Sequence, residues 1–471
     1  MNILTGWRFD RCFFRPAATV LGILLSLHSS HAQDSQYWNL QYGTRSTLLG
    51  GAVIGSVSDL SATYYNPGAL GLSRASGLIL STGVYEGSSL SFEGSGIQKR
   101  QISSFKVNVA PSLVAGRLPA DSGAADRLAY SILTRQRANL DLQWRYVNPQ
   151  GSIPGVPGSG SVSQEAQLGQ DLSEMWAGFT WSRPVSKSVG VGVTTYFAIR
   201  SQDKATNIST HALTDSAGVA GLTYEVKYDY YNIRVLWKAG LAVDLSPLSL
   251  GLTVTTPSIN LFGSGSAYVN TISNGVDENG NGTPDPLFIA DYQEKLSSVY
   301  HSSWAVGIGA AYQMDQFRFD VSAEWYAAVG KFNVLEPGTF TGQSTGVQYQ
   351  NNFSAALEAV LNFGAGIEYD ASEHTSYYAS VITDNSGVKP GSGTNFTLGS
   401  IDYINVTGGG IFSLGRSKIT LGLGYAFGNS PISLTDNPIL NAATAGRYTT
   451  LTDSKLTSIR MRLIFAFSYA V

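Results

Sequence analysis

The C-terminal residues of the chain alternate strictly in character. From Ile459 to Val471 every odd position is apolar or aromatic, whereas Arg460, Arg462 and Ser468 occupy even positions. A strand with this period of two places alternate side chains on opposite faces. One face suits lipid and the other suits water, as in the strand that closes a transmembrane barrel. The C-terminus therefore predicts a barrel, provided that other segments alternate in the same way.

The N-terminus has the features of an export signal. Three arginines precede an apolar run at 17–27, and Ser30 and Ala32 are small residues suited to a cleavage point. The run is about half of the ~20 apolar residues that a bilayer-spanning helix needs. Residues 1–32 are therefore predicted to be a signal peptide, which leaves an exported soluble protein or an exported barrel.

Composition favours the barrel. Charged residues make up 13% of the chain, against roughly 25% in soluble domains, whereas glycine and tyrosine are abundant at 52 and 25 residues. The only cysteine, Cys12, lies in the predicted signal, so the mature chain has no disulfide, thiol nucleophile or zinc–cysteine site. The net charge of −3 gives no indication of a nucleic-acid partner.

Alternating segments recur along the chain. Between Phe317 and Trp325 the odd positions are apolar, and the even positions include Arg318, Asp320 and Glu324, which need a polar interior. Such segments predict fourteen strands, at 77–86, 102–118, 126–147, 171–184, 187–202, 222–245, 248–262, 300–314, 316–333, 354–370, 374–386, 397–414, 417–428 and 455–471.

The connections between these strands alternate in length. Short turns are predicted near Asp121, Pro184, Pro247, Asp315, Ser372 and Arg416, and long loops at 87–101, 148–170, 203–221, 263–299, 334–353, 387–396 and 429–454. Short turns on one side and long loops on the other are typical of outer-membrane barrels, whose short side faces the periplasm. A soluble sandwich would not predict this regularity. The chain is therefore predicted to be all-β, a 14-stranded antiparallel transmembrane barrel in the outer membrane of a Gram-negative bacterium.

Two strands contain irregular features. Pro111 lies inside the strand at 102–118 and cannot donate to the ladder, which predicts either a wall defect suited to lateral release or a bulge at the periplasmic rim. In the strand at 222–245 the charged residues change phase. That change predicts an inserted residue near Tyr230 or Tyr231, which would be either a second kink or only the emergence of the strand above the membrane.

Residues 33–74 precede the first predicted strand and are too long for a simple tail. They contain Gly50-Gly51-Ala52 and the run Asp59-Leu60-Ser61-Ala62-Thr63-Tyr64-Tyr65-Asn66-Pro67-Gly68-Ala69-Leu70. This pattern resembles the N-terminal hatch of the FadL family of outer-membrane transporters for fatty acids and other hydrophobic compounds. Gly68 stands where the family usually has alanine, and Val471 stands where such barrels usually end in an aromatic residue.

The resemblance implies a hatch at 33–74 inside a barrel formed by 75–471, with Asn66, Pro67 and Gly68 as the hatch motif. It implies uptake of hydrophobic compounds, above all long-chain fatty acids. Ligand would be captured at the extracellular mouth, held in an internal pocket and released sideways when the hatch shifts. A lateral exit also avoids water, which costs a greasy ligand about 0.8 kcal/mol per CH₂. The implied partners are the hydrophobic molecule, outer-membrane lipid and the barrel-assembly machinery, with a monomeric barrel and no cofactor.

Several arginines are candidates for contact with a ligand headgroup in the lumen, because arginine pairs bidentately with carboxylates. They are Arg135, Arg137, Arg145, Arg200, Arg234 and Arg318. The alternative is that they form ion pairs with acidic residues of the lumen, such as Asp141, Asp320 and Glu324.

The predicted loop at 263–299 contains a pattern similar to a calcium-binding loop. Asp277, Asn279, Asn281 and Asp285 stand at relative positions one, three, five and nine, with Gly282 at six, but Phe288 replaces the acidic residue at position twelve. Either a weak calcium site or an ordinary turn would explain it.

An enzyme is not expected. The histidines of the mature chain, His211, His301 and His374, fall near different strand ends, and no motif marks a serine nucleophile. Two other functions stay open, a diffusion porin and an accessory barrel for protein secretion. A porin would have an unobstructed lumen, whereas a secretion accessory would need partner proteins.

Overall fold

The computed structural model describes residues 36–73, 78–82, 84–94, 97–105, 111–119, 126–149, 156, 160–215, 218–277, 281–388, 401–432 and 454–469. The predicted signal peptide, Asn279 and Val471 lie outside these residues.

The described chain is built almost entirely from strands. Three short helices come first, α1 Thr44–Leu48, α2 Ala62–Tyr65 and α3 Pro67–Leu72. The strands are β1 Leu78–Thr82, β2 Val84–Gly94, β3 Ile97–Phe105, β4 Pro111–Arg117, β5 Arg127–Asn148, β6 Ser161–Pro184, β7 Val189–Leu213, β8 Val219–Leu245, β9 Leu248–Thr255, β10 Ile259–Asn274, β11 Leu287–Ser297, β12 Ala305–Met314, β13 Phe317–Tyr326, β14 Val329–Leu335, β15 Phe340–Thr341, β16 Gln348–Tyr349, β17 Phe353–Leu357, β18 Val360–Ser372, β19 Thr375–Asp384, β20 Asp402–Leu414, β21 Ser417–Ile432 and β22 Ser454–Tyr469.

Eighteen of these strands form one antiparallel sheet that closes on itself. Four wall strands each consist of two of these segments, namely β1 with β2, β3 with β4, β9 with β10, and β11 with β12. The eighteen segments therefore make fourteen wall strands. The last one, β22, pairs with β21 on one side and with β1 and β2 on the other, for example at Leu78 and Tyr469. The predicted 14-stranded antiparallel barrel is confirmed.

The strands extend further on the long-loop side than predicted. β7 continues to Leu213 and β8 begins at Val219, and the predicted loop at 87–101 is a hairpin of β2 and β3. Above the membrane both faces meet water, so the apolar alternation fades while the ladder continues. The predicted strand at 316–333 was too long, because β13 ends at Tyr326 and the chain then enters a folded loop.

The alternation of side chains is inverted relative to a soluble protein. Phe179, Phe197 and Leu423 are exposed on the outside, whereas Thr194 and Asn232 are fully buried facing inward. A closed barrel with an apolar outer face and a polar interior is the arrangement that a membrane requires. Among the described residues, none of the helices is long and apolar enough to cross a membrane.

The phase of β8 does not change. Even positions are buried along its length from Leu222 to Lys238, and its pairing with β7 is continuous. The predicted inserted residue near Tyr230 or Tyr231 is therefore wrong. Glu225 and Lys227 point outward because the strand has emerged above the membrane there, which was the second of the two interpretations.

The N-terminal segment, residues 36–73, lies inside the barrel. Its bonds reach the wall on widely separated strands: the Tyr42 hydroxyl donates to Thr134 O on β5, the Tyr196 hydroxyl on β7 donates to Thr63 O, and Arg460 on β22 donates to Asn39 Oδ1. A segment that contacts wall strands on all these sides of the barrel must occupy the lumen.

The loop between β13 and β18 closes over the lumen on the long-loop side. In this lumenal loop, residues 327–359, β14 pairs with β17 and β15 pairs with β16. Phe353 stacks on Tyr228 of β8 with ring centroids 4.8 Å apart. The largest apolar clusters among the described residues therefore lie around the N-terminal segment and beneath the lumenal loop.

Candidate functional site

The Asn66-Pro67-Gly68 motif fastens the N-terminal segment to the wall. Asn66 Nδ2 donates to Ile54 O and to Leu241 O of β8, both at 3.0 Å, and its Oδ1 accepts from Gly68 N at 3.1 Å. That last bond caps α3, in which Pro67 occupies the first turn, a position that tolerates its missing N–H. The motif therefore starts a helix and ties it to β8 with one side chain.

The helix approaches the wall so closely that only glycines fit between them. A Cβ added at Gly68 would lie 2.6 Å from Gly240 O, and one added at Gly192 would lie 2.5 Å from Pro67 O. Gly190 on β7 and Gly251 on β9 are in equally close contact with the N-terminal segment. These wall glycines occupy inward positions near the short turns, a pattern visible in the sequence whose meaning was missed there.

We expect Gly192→Ala to unseat α3. The added methyl meets a backbone carbonyl that cannot rotate away, and such overpacking costs typically about 1–3 kcal/mol. Limited proteolysis of the purified barrel should then cleave the N-terminal segment faster than in the wild type. Gly169→Ala on β6 is the matched control, because the nearest atom to its added Cβ is 3.9 Å away. Equal cleavage rates for both variants would contradict the role of these glycine contacts in holding α3.

Arg45 is the electrostatic anchor of the segment. Its Nη2 donates to Asp320 Oδ2 of β13 at 2.8 Å and its Nε donates to Glu368 Oε2 of β18 at 2.7 Å. Burial alone would lower the pKa of Arg45, but the two carboxylates raise it above its ordinary value. Arg45 therefore stays charged while almost buried. This anchor was not predicted, because nothing near Arg45 in the sequence marks its partners.

A tyrosine cluster holds the centre of the segment together. Tyr42 packs edge-on against Tyr64 at 4.6 Å, and the Tyr65 hydroxyl accepts from Tyr42 N at 3.0 Å. Burial raises the pKa of Tyr65 well above its ordinary value, although the bond from Tyr42 acts in the opposite direction. The Tyr65 phenol therefore stays neutral. The packed tyrosines make the segment a compact body rather than a loose tail.

Three adjoining cavities lead from the lumenal loop to the N-terminal segment. The upper cavity lies between the loop residues around Phe353 and the wall, and it shares Tyr300 with the central cavity. The central cavity in turn shares Tyr37 and Tyr64 with the lower one, beside the N-terminal segment. The central cavity combines aromatic, hydroxyl and charged side chains, which suits a ligand with an apolar body and a polar end.

Arg135 faces the central cavity without a carboxylate partner. It is 5% exposed, its Nη1 donates to Tyr37 O at 2.8 Å, and no ion pair to it exists among the described residues. Its guanidinium lies between the rings of Tyr64 and Trp176, at 5.7 and 5.4 Å from their centroids. A buried cation of this kind is stabilised only in part by aromatic rings, and it suits an anionic headgroup.

A β-bulge at Arg135 reverses the facing of β5. Thr134 pairs with Met175 and Gln136 with Glu174, so Arg135 is the extra residue. Beyond it the odd positions turn outward, and Arg137 and Arg145 are exposed. The prediction that these two arginines face the lumen is wrong for this reason.

Arg200 and Arg234 meet in the lumen as a charged cluster with Glu174. Glu174 lies 3.0 Å from Arg200 Nη1 and 2.8 Å from Arg234 Nη2, and all three side chains are buried. The Nε and Nη1 atoms of Arg234 have no hydrogen-bond partner among the described residues. Among the described residues, the two cations therefore share one carboxylate beside the cavity.

The acidic residues predicted to pair with lumenal cations have distinct partners. Glu324 lies 3.1 Å from Lys238 Nζ and accepts from Trp38 Nε1 at 2.9 Å. Arg318 is half-buried near the short turns, two residues from Asp320 and on a different level from Arg135. Of the six predicted cations, Arg135 lines the central cavity and Arg200 lines the upper one, and Arg234 contacts Glu174 at the wall of the central cavity.

Pro111 is the first residue of β4 and lies at an irregular point in the wall. Ser81 pairs with Leu113 whereas Thr82 pairs with Pro111, so Ser112 is skipped. Residues 106–110, between β3 and β4, lie outside the described residues. The use of this irregularity as a lateral opening stays a prediction.

The predicted calcium loop uses its oxygens for the backbone. Asp277 accepts from Asn281 N at 3.1 Å and from Gly282 N at 2.7 Å, and Asn281 Oδ1 accepts from Thr283 N at 2.8 Å. Asp285 lies at the far end of the loop, where its N–H donates to Val276 O. In the part of the chain that is described, no three His, Cys, Asp or Glu residues are grouped to hold a metal ion.

Comparison with known proteins identifies the fold. No protein-family model and no curated protein matches the sequence. Solved structures do match: a FadL homologue of Pseudomonas aeruginosa, with 12% identity, a TM-score of 0.56 and coverage of 93% of this chain and 100% of that one. The toluene transporter TodX of P. putida has 12% identity, a TM-score of 0.55 and coverage of 92% and 99%. TbuX, the toluene transporter of Ralstonia pickettii, has 12% identity, a TM-score of 0.53 and coverage of 92% and 100%.

The chain therefore has the fold of FadL-type outer-membrane barrels, and the predicted resemblance is confirmed at the level of the fold. The apolar outer face of the closed barrel agrees with this and confirms the predicted outer-membrane location. Two of the proteins named above are toluene transporters, and the third is a FadL homologue.

Proposed function

We propose that the protein takes up hydrophobic compounds across the outer membrane and that its favoured cargo is a long-chain fatty acid. The barrels that share its fold include toluene transporters, which supports the general class of cargo. The observation that carries the finer proposal is Arg135, a buried cation that faces an aromatic cavity and has no carboxylate partner in the part of the chain that is described. A hydrocarbon such as toluene cannot accept a hydrogen bond from such a cation, whereas a carboxylate can.

The N-terminal segment acts in this proposal as a hatch. It is compact, it lies in the lumen and it is held by a helix cap, glycine contacts and the Arg45 anchor. Ligand enters beneath the lumenal loop, passes through the upper cavity and binds in the central one, and lateral release follows a shift of the hatch. A freely conducting porin is disfavoured because the hatch fills the lumen. The barrel acts as a monomer, and calcium at Asp277 stays a prediction.

We expect Arg135→Met to weaken the binding of oleate but not of toluene. Loss of a charge-assisted hydrogen bond costs about 1.5–3 kcal/mol, or roughly ten- to a hundredfold in Kd. Titration calorimetry of the purified barrel in detergent measures both affinities. Arg137→Met is the matched control, since Arg137 lies two residues away on the outer face. Equal oleate affinity for the wild type and Arg135→Met would contradict the assignment of the headgroup, and absence of oleate binding to the wild type would contradict the proposed cargo.

A further inference from the structure

Two neighbouring wall strands separate partway along their length. Wall strand 7 is β9 with β10, and wall strand 8 is β11 with β12. The lower halves, β9 and β12, pair with each other as far as Thr255 and Ala305. The upper halves, β10 and β11, pair with each other from Ser264 and Ser297 onward. Residues 299–304 between these halves belong to no strand.

The backbone of this segment bonds inward instead of to its neighbour in the wall. The Val299 N–H donates to Val334 O at 3.0 Å, and Trp304 O accepts from Ala327 N at 2.9 Å, so both bonds run to the lumenal loop. Within the described chain, the only backbone hydrogen bond across the gap runs from Ser298 N to Gly263 O, at 3.4 Å. Residues 256–263 and 298–304 therefore form a window in the ladder, which we call the strand 7–8 window.

Side chains close the window. Asn260 Oδ1 accepts from Tyr300 N at 2.9 Å and from Asn232 Nδ2 at 3.0 Å, and Ser302 Oγ accepts from Ser258 N at 2.9 Å. In hydrocarbon an unsatisfied backbone group costs several kcal/mol, so these bonds keep the closed wall stable. A side-chain bond can break and re-form by rotation, whereas a ladder bond requires the strands to move apart.

The inner side of the window borders the central cavity. Thr255, Tyr300, Ser302 and Ala305 all line that cavity. The Tyr300 ring lies under the guanidinium groups of Arg200 and Arg234, at 4.1 and 4.7 Å from its centroid. Tyr300 thus stands between the cavity and the gap in the wall, in contact with the two cations of the Glu174 cluster.

The outer side of the window is apolar. Ile259, Leu261, Phe262 and Trp304 are each about half exposed, at 55%, 49%, 58% and 50%. Leu261 is itself the extra residue of a bulge, because Asn260 pairs with Arg234 and Phe262 with Ile233. β9 places the lower edge of the window eight residues above the short turn, or roughly 20 Å for a tilted strand, near the upper, outer-leaflet side of the ~25 Å apolar band of such barrels.

We propose that the strand 7–8 window is a lateral portal that joins the central cavity to the outer leaflet, with Tyr300 as its gate. The portal rests on the proposed uptake function, and it is separate from the irregularity at Pro111. A ligand that displaces Tyr300 from the two arginines gains both their charge and a path to lipid that avoids the aqueous lumen. If the bend in wall strand 8 served only to seat the lumenal loop, locking the window would leave transport unchanged.

The test is a reversible lock across the window. Ser258→Cys with Ser302→Cys is oxidised to a disulfide and then reduced, and the mature chain is predicted to have no other cysteine. We expect oxidation to lower the uptake of radiolabelled oleate by about tenfold relative to the same variant in its reduced form, with recovery on reduction. Ala267→Cys with Gln293→Cys, at a pair that is already in the ladder, is the matched control. Ser81→Cys with Leu113→Cys locks the wall beside Pro111 and reports on that route.

Uptake by the oxidised window pair at the rate of the reduced pair would overturn the portal. Absence of oleate binding and uptake by the wild type would instead refute the proposed cargo, so a second measurement follows the portal without any cargo. A spin label at Ser303→Cys, in the central cavity, reports its collision rate with oxygen, which concentrates in hydrocarbon. Adding Tyr300→Ala is expected to raise that rate in lipid vesicles, and no rise would also overturn the portal.

Discussion

Replacing Arg45 with methionine is expected to open the barrel to ions. The substitution leaves Asp320 and Glu368 without the cation that pairs with both, and breaking a buried ion pair costs about 3–5 kcal/mol. That cost falls on the contact between the hatch and the wall, so the hatch spends more time displaced. Single-channel recording in planar bilayers should show conducting events that are rare in the wild type.

The control for Arg45 removes all three charges together. In the triple variant Arg45→Met, Asp320→Asn, Glu368→Gln no unpaired charge remains, and replacement of a whole buried ion cluster is often close to neutral. The hatch should therefore close again and conductance should fall towards the wild-type level. If Arg45→Met alone conducts no more than the wild type, the glycine contacts and Asn66 hold the hatch without Arg45.

Replacing Glu174 with glutamine is expected to destabilise the whole barrel. Glu174 is the only carboxylate within ion-pair distance of Arg200 and Arg234 among the described residues, and both arginines are fully buried. Without it two guanidinium groups repel each other in the lumen, at a cost of about 3–5 kcal/mol. Urea unfolding of the barrel in lipid vesicles, followed by tryptophan fluorescence, measures the change in the free energy of unfolding.

The same strand offers the matched control. Glu165 on β6 lies 3.0 Å from Arg145, but these side chains are 52% and 67% exposed. An exposed pair of this kind contributes about 0–1 kcal/mol, so Glu165→Gln should leave the unfolding free energy nearly unchanged. Similar decreases in the free energy of unfolding for both variants would mean that the Glu174 cluster is hydrated and that its charges do not stabilise one another.

The barrel was predictable because its signal is repeated in every strand. A period of two, with polar residues inside and apolar ones outside, can be recognised without knowledge of any partner strand, and the pattern of Ile459 to Val471 is confirmed along β22 as far as the structure describes it. The importance of the Asn66-Pro67-Gly68 run was also visible, since Asn66 caps a helix that begins at the next residue. Both are local properties of the chain.

The features that were not predicted depend on distant residues. The bulge at Arg135 has no glycine or proline to mark it, and it alone decides that Arg135 faces the cavity while Arg137 and Arg145 face outward. The anchor at Arg45 joins residues about three hundred positions apart, and so does the bond between Trp38 and Glu324. Pairings of this kind follow from the closure of the barrel, which fixes the neighbours of each inward-facing side chain.

Because the long strands extend well beyond the membrane, the two ends of the ligand pathway lie in different solvents. β7 has 25 residues, whereas about 9–11 suffice to cross the hydrocarbon, so the mouth stands roughly 30 Å clear of the lipid. Ligand would then be collected from water and delivered to oil. The direction of net flow would follow the partition coefficient of the molecule, and a cargo that prefers lipid would move inward without ATP or an ion gradient.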